Sequence, residues 1–274
     1  MYKRQFQHCD IVSQHLEIIK FMEKTKIETF IKKYTLGNTI SSVIWRNNKD
    51  DLTVTAMTSD KKLFASVELK DAAKGFIDGQ DVGILTTERL KKMLSFLDEN
   101  VSLSLDVDDK DKTRVRKILV DDDKMCEEYV TSEPSAIDPV PSMKNIPPFD
   151  VEIKLTPEFC DKFSKAFASL GDDGSLFTVV MNKKTKKLDV VFGYKSTGNS
   201  DRIALGGYVT TNAGKDSIKN PVSFTAKNLK EIISANSDVQ DATLQICEAG
   251  LAGVSFDKDG IKSQYYLVKV EVED

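Results

Sequence analysis

Histidine is nearly missing from this chain. Both copies, His8 and His15, lie within the first 21 positions of a 274-residue sequence, and none follows Met22. If the opening segment lies outside the folded protein, a Ser-His-Asp triad, a Cys-His pair and a histidine-ligated zinc are all excluded by inventory. Cysteine is scarce as well. Cys9, Cys126, Cys160 and Cys247 are too far apart for a C-x-x-C metal or redox motif and too few for a disulfide-stapled secreted domain. Four structural thiols in a reducing cytosol are expected. No run approaches the roughly 20 apolar residues that a membrane-spanning helix needs. No glycine-rich loop of the G-x-x-x-x-G-K-[ST] or G-x-G-x-x-G type occurs to cradle a phosphate. A global excess of positive charge is also lacking. The net charge is −4, so any contact with nucleic acid requires local segregation of the 39 basic residues.

What is present is a globular composition, 40% hydrophobic and 30% charged, with enough apolar material for a core. At about 150 residues per domain the length suggests two domains. The element pattern occurs twice. Thr25-Lys-Ile-Glu28 has the form of a helix capping box, Ile27, Phe30, Ile31 and Tyr34 mark one helix face, and Gly37 with Asn38 offer a stop. Strand-like runs follow at Ile40–Trp45, Leu52–Ala56 and Leu63–Leu69. A second helix, with Leu90, Met93, Leu94 and Leu97 inward, starts after Thr86 or Thr87. Strands then return at Val101–Val107 and Thr113–Val120. The second half repeats the order. Thr156-Pro157 starts a helix with Phe159, Phe163, Ala166, Phe167 and Leu170 inward, ended by Gly171. Strands are expected at Leu176–Met181, Leu188–Tyr194 and Arg202–Thr210. Thr225 caps a short helix with Leu229, Ile232 and Ile233 inward, and strands close the chain at Ala242–Glu248, Ala252–Asp257 and Ser263–Val270.

The fold class is therefore α+β: two similar domains, each of antiparallel sheet carrying two helices. Residues 22–130 and 150–274 are the expected domains. The connector, 131–149, holds five of the seven prolines (Pro134, Pro139, Pro141, Pro147 and Pro148) and reads as extended chain. In the opening segment Val12, Leu16 and Ile19 fit one face of an added amphipathic turn. The competing reading starts the native protein at Met22 and takes residues 1–21 as extraneous or flexible. The acidic run Asp106–Asp111 lacks the glycine and terminal glutamate of an EF-hand and reads as a solvated hairpin turn. No metal site, cofactor or catalytic residue is expected. The lone tryptophan, Trp45, is expected on a buried strand.

Each helix carries basic residues opposite or beside its apolar stripe. They are Lys24, Lys26, Lys32 and Lys33 on the first, Arg89, Lys91 and Lys92 on the second, Lys162 and Lys165 on the third, and Lys227 and Lys230 on the fourth. Lysine on an exposed helix face is ordinary, and Glu28, Glu88, Glu158, Asp161 and Glu231 dilute the signal. Its recurrence on all four helices of an acidic protein gives it weight.

With this order of elements the sequence resembles the sliding clamps, the processivity factors of DNA polymerases. It looks most like the two-domain clamps of T-even-type tailed bacteriophages. The segments that carry the resemblance are Met22-Glu-Lys-Thr-Lys-Ile-Glu-Thr-Phe-Ile-Lys-Lys-Tyr34, Pro139-Val-Pro-Ser-Met-Lys-Asn-Ile-Pro-Pro-Phe149, Val151-Glu-Ile-Lys-Leu-Thr-Pro-Glu-Phe159 and the close from Gly253 to Val270. It extends from Met22 to the C-terminus and rests on layout and short segments.

The resemblance implies a DNA-clamp fold assembling into a ring, a homotrimer of two-domain subunits with helices lining the hole. It implies sequence-independent contact with double-stranded DNA through the eleven basic residues above. An ATP-dependent clamp loader, the replicative DNA polymerase and late transcription factors are the implied partners, in the cytoplasm of an infected bacterial host. Partner peptides would dock on Val140, Met143, Ile146 and Phe149 of the connector with Tyr265 and Tyr266 of the last strand; the competing reading of these six is ordinary core packing, with one of the two tyrosines expected in the core. The competing functions are a monomeric viral DNA-binding processivity subunit or late-transcription accessory factor, and an α+β hydrolase. The lack of histidine after residue 21 argues against the hydrolase.

Overall fold

A computed structural model describes residues 17–73, 80–143, 145–182, 184–185, 187–198, 200–211, 218–239 and 242–271. The chain divides into two compact units. The first comprises Met1–Ala56, Ser66–Val140 and Asp259–Lys262, and the second Met57–Ala65, Pro141–Lys258 and Ser263–Asp274.

The elements follow in chain order as β1 (Glu17–Glu23), α1 (Lys24–Thr35), β2 (Val43–Asn48), β3 (Asp51–Met57), β4 (Leu63–Leu69), β5 (Asp81–Ile84), α2 (Thr87–Leu94), β6 (Asn100–Val107), β7 (Val115–Asp121) and β8 (Cys126–Val130). The second series runs β9 (Val151–Leu155), α3 (Pro157–Ser169), β10 (Leu176–Asn182), β11 (Lys187–Phe192), β12 (Ile203–Gly206), β13 (Val209–Thr211), β14 (Val222–Thr225), α4 (Ala226–Ala235), β15 (Ala242–Cys247), β16 (Leu251–Lys258) and β17 (Ile261–Val268).

The duplication extends to the pairing. In the first unit one sheet has the order β1-β6-β7-β8, and β2 lies between β3 and β5. In the second, β9-β15-β16-β17 repeats the first of these orders, and β10 lies between β11 and β14 as β2 does. The one addition is β13, which pairs with β9 along Val209↔Ile153 to Thr211↔Val151. The expected single strand Arg202–Thr210 is broken to make it. Gly207, at φ 85°, ends β12, and the chain changes sheets before β13.

The opening strand β1 pairs with β6 from Glu23↔Asn100 back to Glu17↔Leu105. Ordered strand therefore begins before Met22. Ile19 belongs to this strand and not to an added helical turn, while Val12 and Leu16 lie outside the described residues. Strands β5, β8, β9 and β14, which are short or carry charge on one face, lie outside the strands expected from the sequence.

Each unit packs its helices over aromatic rings. In the first, Phe30, Tyr34 and Trp45 meet edge to face at centroid distances of 5.3 and 5.9 Å, and the Trp45 indole N–H donates to the Tyr34 hydroxyl at 3.1 Å. In the second, Phe163 sits 5.4 Å from Phe177 and 4.9 Å from Phe192, with Phe159 and Phe224 beside them. The acidic hairpin between β6 and β7 is self-capped. Asp108 accepts from the Lys110 and Asp111 amides, and the buried Asp106 carboxylate pairs with Arg116 at 2.9 Å. Cys160 and Cys247 are free thiols. Among the described residues no helix is long and apolar enough to cross a membrane.

Candidate nucleic-acid interface

The helix starts are built differently from the motifs that announced them. Glu23 is the N-cap of α1 and makes no side-chain cap bond, so the Thr25-to-Glu28 capping box does not form. Glu99, from the α2–β6 connection, does the work instead. Its carbonyl accepts from the Lys24 amide at 2.7 Å, and its carboxylate accepts from the Thr25 amide and hydroxyl at 3.1 and 2.8 Å. Those bonds hold the Glu99 carboxyl below the ordinary glutamate range. By contrast, Thr156 caps α3 as expected, its hydroxyl accepting from the Phe159 amide at 3.2 Å. Thr225 occupies the N-cap position of α4 but makes no cap bond through its side chain. At the other end of α1, Leu36, Gly37 and Asn38 are left-handed in succession and stop the helix where the sequence indicated.

The apolar stripes are largely as read, but Met93, Phe167, Leu170 and Ile233, read as inward, are only half-buried. Ile27, Phe30, Ile31 and Tyr34 are buried on α1, Leu90 and Leu94 on α2, Phe159, Phe163 and Ala166 on α3, and Leu229 and Ile232 on α4. Helix α1 packs beside α2, and α3 beside α4.

The basic residues fall into three groups. Lys33 is buried, 1% exposed, and is removed from the surface set. It lies three positions after Phe30, so the buried face of α1 is wider than its apolar residues alone suggested. A second group is engaged with the protein. Lys24 donates to the Leu97 carbonyl. Lys26 lies 3.7 Å from Glu23, and Lys92 is 2.8 Å from Glu88. Lys162 is 2.7 Å from Glu158, and Lys165 is 2.7 Å from Asp161. Lys230 lies 5.5 Å over the Phe167 ring and 4.0 Å from Glu231. The third group, Lys32, Arg89, Lys91 and Lys227, is exposed and forms no ion pair among the described residues.

The Lys162 pair is strengthened by a residue the sequence did not flag. The Tyr208 hydroxyl donates to Glu158 at 2.9 Å and lies 3.1 Å from the Lys162 ammonium, which also sits 5.7 Å from the Tyr208 ring. The Lys162 ammonium and the Tyr208 hydroxyl hold the Glu158 carboxyl below its ordinary value, and the carboxylate raises the Lys162 ammonium well above the ordinary lysine range. Fifty residues separate Tyr208 from Glu158. No local signal could have joined them.

The six residues expected to receive partners do not form one surface. Tyr266 and Phe149 converge on Gly253, where an added Cβ would lie 3.1 Å from the Tyr266 ring and 3.0 Å from Phe149. Phe64 lies 6.1 Å from Tyr266, ring to ring. Ile146 is exposed, and Val140 and Met143 are half-buried. Tyr265 is a correction. It is fully buried, its hydroxyl accepts from the Asn236 amide at 3.1 Å, and its ring meets Phe256 at 6.0 Å. Burial pushes its phenol up to about 12. Tyr266, its neighbour on the strand, is buried as well, at 4% exposed, so neither tyrosine offers an open surface. Gly253 within a strand was the available sign of a close approach. Phe64 gave none.

No protein-family model matches the sequence, and no curated protein does. Solved structures do. The chain is similar to proliferating cellular nuclear antigen (PCNA) from Entamoeba histolytica, at 19% identity and TM-score 0.68, over 93% of this chain and 99% of that one. A PCNA2–PCNA3 complex from Sulfolobus tokodaii matches at 14% identity and TM-score 0.64, over 92% and 99%. PCNA from Thermococcus kodakaraensis matches at 12% identity and TM-score 0.66, over 93% and 100%. At these identities the likeness shows the fold, which is that of the PCNA-type sliding clamps.

Proposed function

We propose that the protein is a sliding clamp that encircles duplex DNA, tethers a DNA polymerase and has no catalysis of its own. The observation that carries this reading is the duplicated clamp fold in which all four helices present exposed basic residues while the chain as a whole is acidic. A cation near a phosphate backbone gives a salt-sensitive attraction that carries no base readout. A closed ring needs no tight grip, because enclosure keeps it on the DNA. The acidic partners of Lys92, Lys162 and Lys165 weaken that grip and favour sliding.

The subunit is read as domains 22–130 and 150–274 joined by the 131–149 connector, and the assembly as a homotrimer opened by an ATP-dependent loader. Strands β8 and β12 end their four-stranded sheets, and Val130 on β8 is 63% exposed. Pairing of one subunit's β8 with the next subunit's β12 would cover both edges. A partner peptide would dock at Ile146 and Phe149 and raise the polymerase's effective concentration at the primer end to roughly millimolar. The likeness of the opening and connector segments to T-even phage clamps supports a phage setting, with late transcription factors as further partners.

Native mass measurement combined with retention on DNA tests the reading. A species of three times the 30.6 kDa chain, held on closed circular DNA after loading and released when the circle is cut, is expected. A single-chain mass with equal retention on circular and linear DNA would replace the ring with a monomeric DNA-binding module.

A further inference from the structure

On the surface read above as facing DNA, we propose that the first unit supplies the phosphate contacts, through Lys32, Arg89 and Lys91, while Glu158 and Asp161 hold the second unit's helices near electrical balance. This rests on the clamp reading and deepens it: DNA inside the ring is held asymmetrically within each subunit.

Composition of the helices gives the first argument. Helix α1 has four lysines against one glutamate, and α2 an arginine and two lysines against one glutamate. Helix α3 has two lysines against one glutamate and one aspartate, and α4 two lysines against one glutamate. The surplus is five positive charges on the first pair and one on the second. Leaving out the buried Lys33 still leaves four against one.

Geometry gives the second. Both α3 lysines sit one turn after a carboxylate, at 2.7 Å, in the acid-first i,i+4 order that such pairs favour. A phosphate approaching Lys162 meets Glu158 at the same time, and Tyr208 fixes that carboxylate in place. To bind phosphate, Lys162 must give up an existing anion, so little net attraction results. Lys230 is half-buried over Phe167. Lys227 is therefore the one exposed cation of α3 and α4 without an ion pair among the described residues. On α1 and α2 there are three, Lys32, Arg89 and Lys91. They release condensed counterions without first breaking an ion pair within the protein.

The test compares full-length variants on a short duplex by fluorescence anisotropy across a salt series. Removing one lysine–phosphate interaction should flatten the slope of log affinity against log salt by about 0.9. Lys32→Gln/Arg89→Gln/Lys91→Gln should flatten it by roughly 2–3 and weaken binding at least tenfold at low salt. Lys162→Gln/Lys165→Gln should change it by less than about one. Glu158→Gln/Asp161→Asn, which frees both lysines, should tighten binding and steepen the slope. Equal weakening from the two substituted sets, or greater weakening from the second, would overturn the asymmetry and leave the DNA-facing assignment standing. No weakening from either set would overturn both. Trp45 fluorescence and circular dichroism check that each variant is folded.

Discussion

Set side by side, the helix pair α1–α2 and the pair α3–α4 bury the same kind of stripe and expose different ones. Inward, each pair rests on a cluster of aromatic rings: Phe30, Tyr34 and Trp45 in the first unit, Phe159, Phe163, Phe177 and Phe192 in the second. Outward, the first pair keeps Lys32, Arg89 and Lys91 without ion pairs among the described residues, while the second pairs its α3 lysines with their own carboxylates. Burial is governed by volume and periodicity, which a duplicated fold preserves. The solvent side answers only to local electrostatics, so duplicated halves can drift apart there without disturbing the fold.

The strongest way to break this comparison is at the buried side. Phe30→Ala and Phe163→Ala should each cost about 3–5 kcal/mol, as large aromatic truncations in a packed core do. Urea unfolding measures this. Trp45, 5.9 Å from Phe30, reports the first unit, and circular dichroism reports the whole chain. A cost below about 1 kcal/mol at either site would show that the two cores are not equivalent.

A smaller effect is expected at the helix starts, where the two units differ. Thr156→Ala removes a local cap from α3 and should cost about 1 kcal/mol. Glu99→Ala removes a distant cap from α1 and should also lower the urea midpoint, with a pH signature that Thr156→Ala lacks. The folded-state carboxyl of Glu99 is depressed. Its stabilisation is therefore complete above the ordinary glutamate range and lost as pH falls through the native value. The gap between wild type and Glu99→Ala should close over that window. A gap independent of pH would mean that the carboxylate's charge does not carry the cap, and no gap at all would mean that Glu99 acts only through its backbone carbonyl.

The smallest effect lies at Tyr208. Replacing it with Phe removes the hydroxyl donor to Glu158 at 2.9 Å but leaves the Lys162 pair. The Glu158 carboxyl should then titrate closer to an ordinary glutamate in an NMR pH series. No movement would assign its whole depression to Lys162.

Periodicity made the helices legible. The stripe from Ile27 to Tyr34 and the run from Phe159 to Ala166 are buried as read, because a 3.6-residue repeat needs no knowledge of the partner surface. The long alternating strands were legible for the same reason. The short ones were not: β5 has four residues and contains Gly83, and β8 reads Cys-Glu-Glu-Tyr-Val. Both are strands because neighbours offer them a ladder, which is tertiary information. The site was legible only by residue type. Lys32 and Lys91 are exposed as expected. The burial of Lys33, the Tyr208 bond to Glu158 and the capping of α1 by Glu99 depend on residues far apart in sequence.

The bond between Thr25 and Glu99 has a consequence for the order of events in folding. Residues at the start of α1 find their acceptor 74 positions downstream, beyond the whole of α2. Until Glu99 is in place, the amides of Lys24 and Thr25 lack these acceptors. They gain them when the α2–β6 connection forms and β6 takes its place against β1. The start of α1 is thus complete only with the α2–β6 connection beside it, which ties an early-made part of the chain to a much later one.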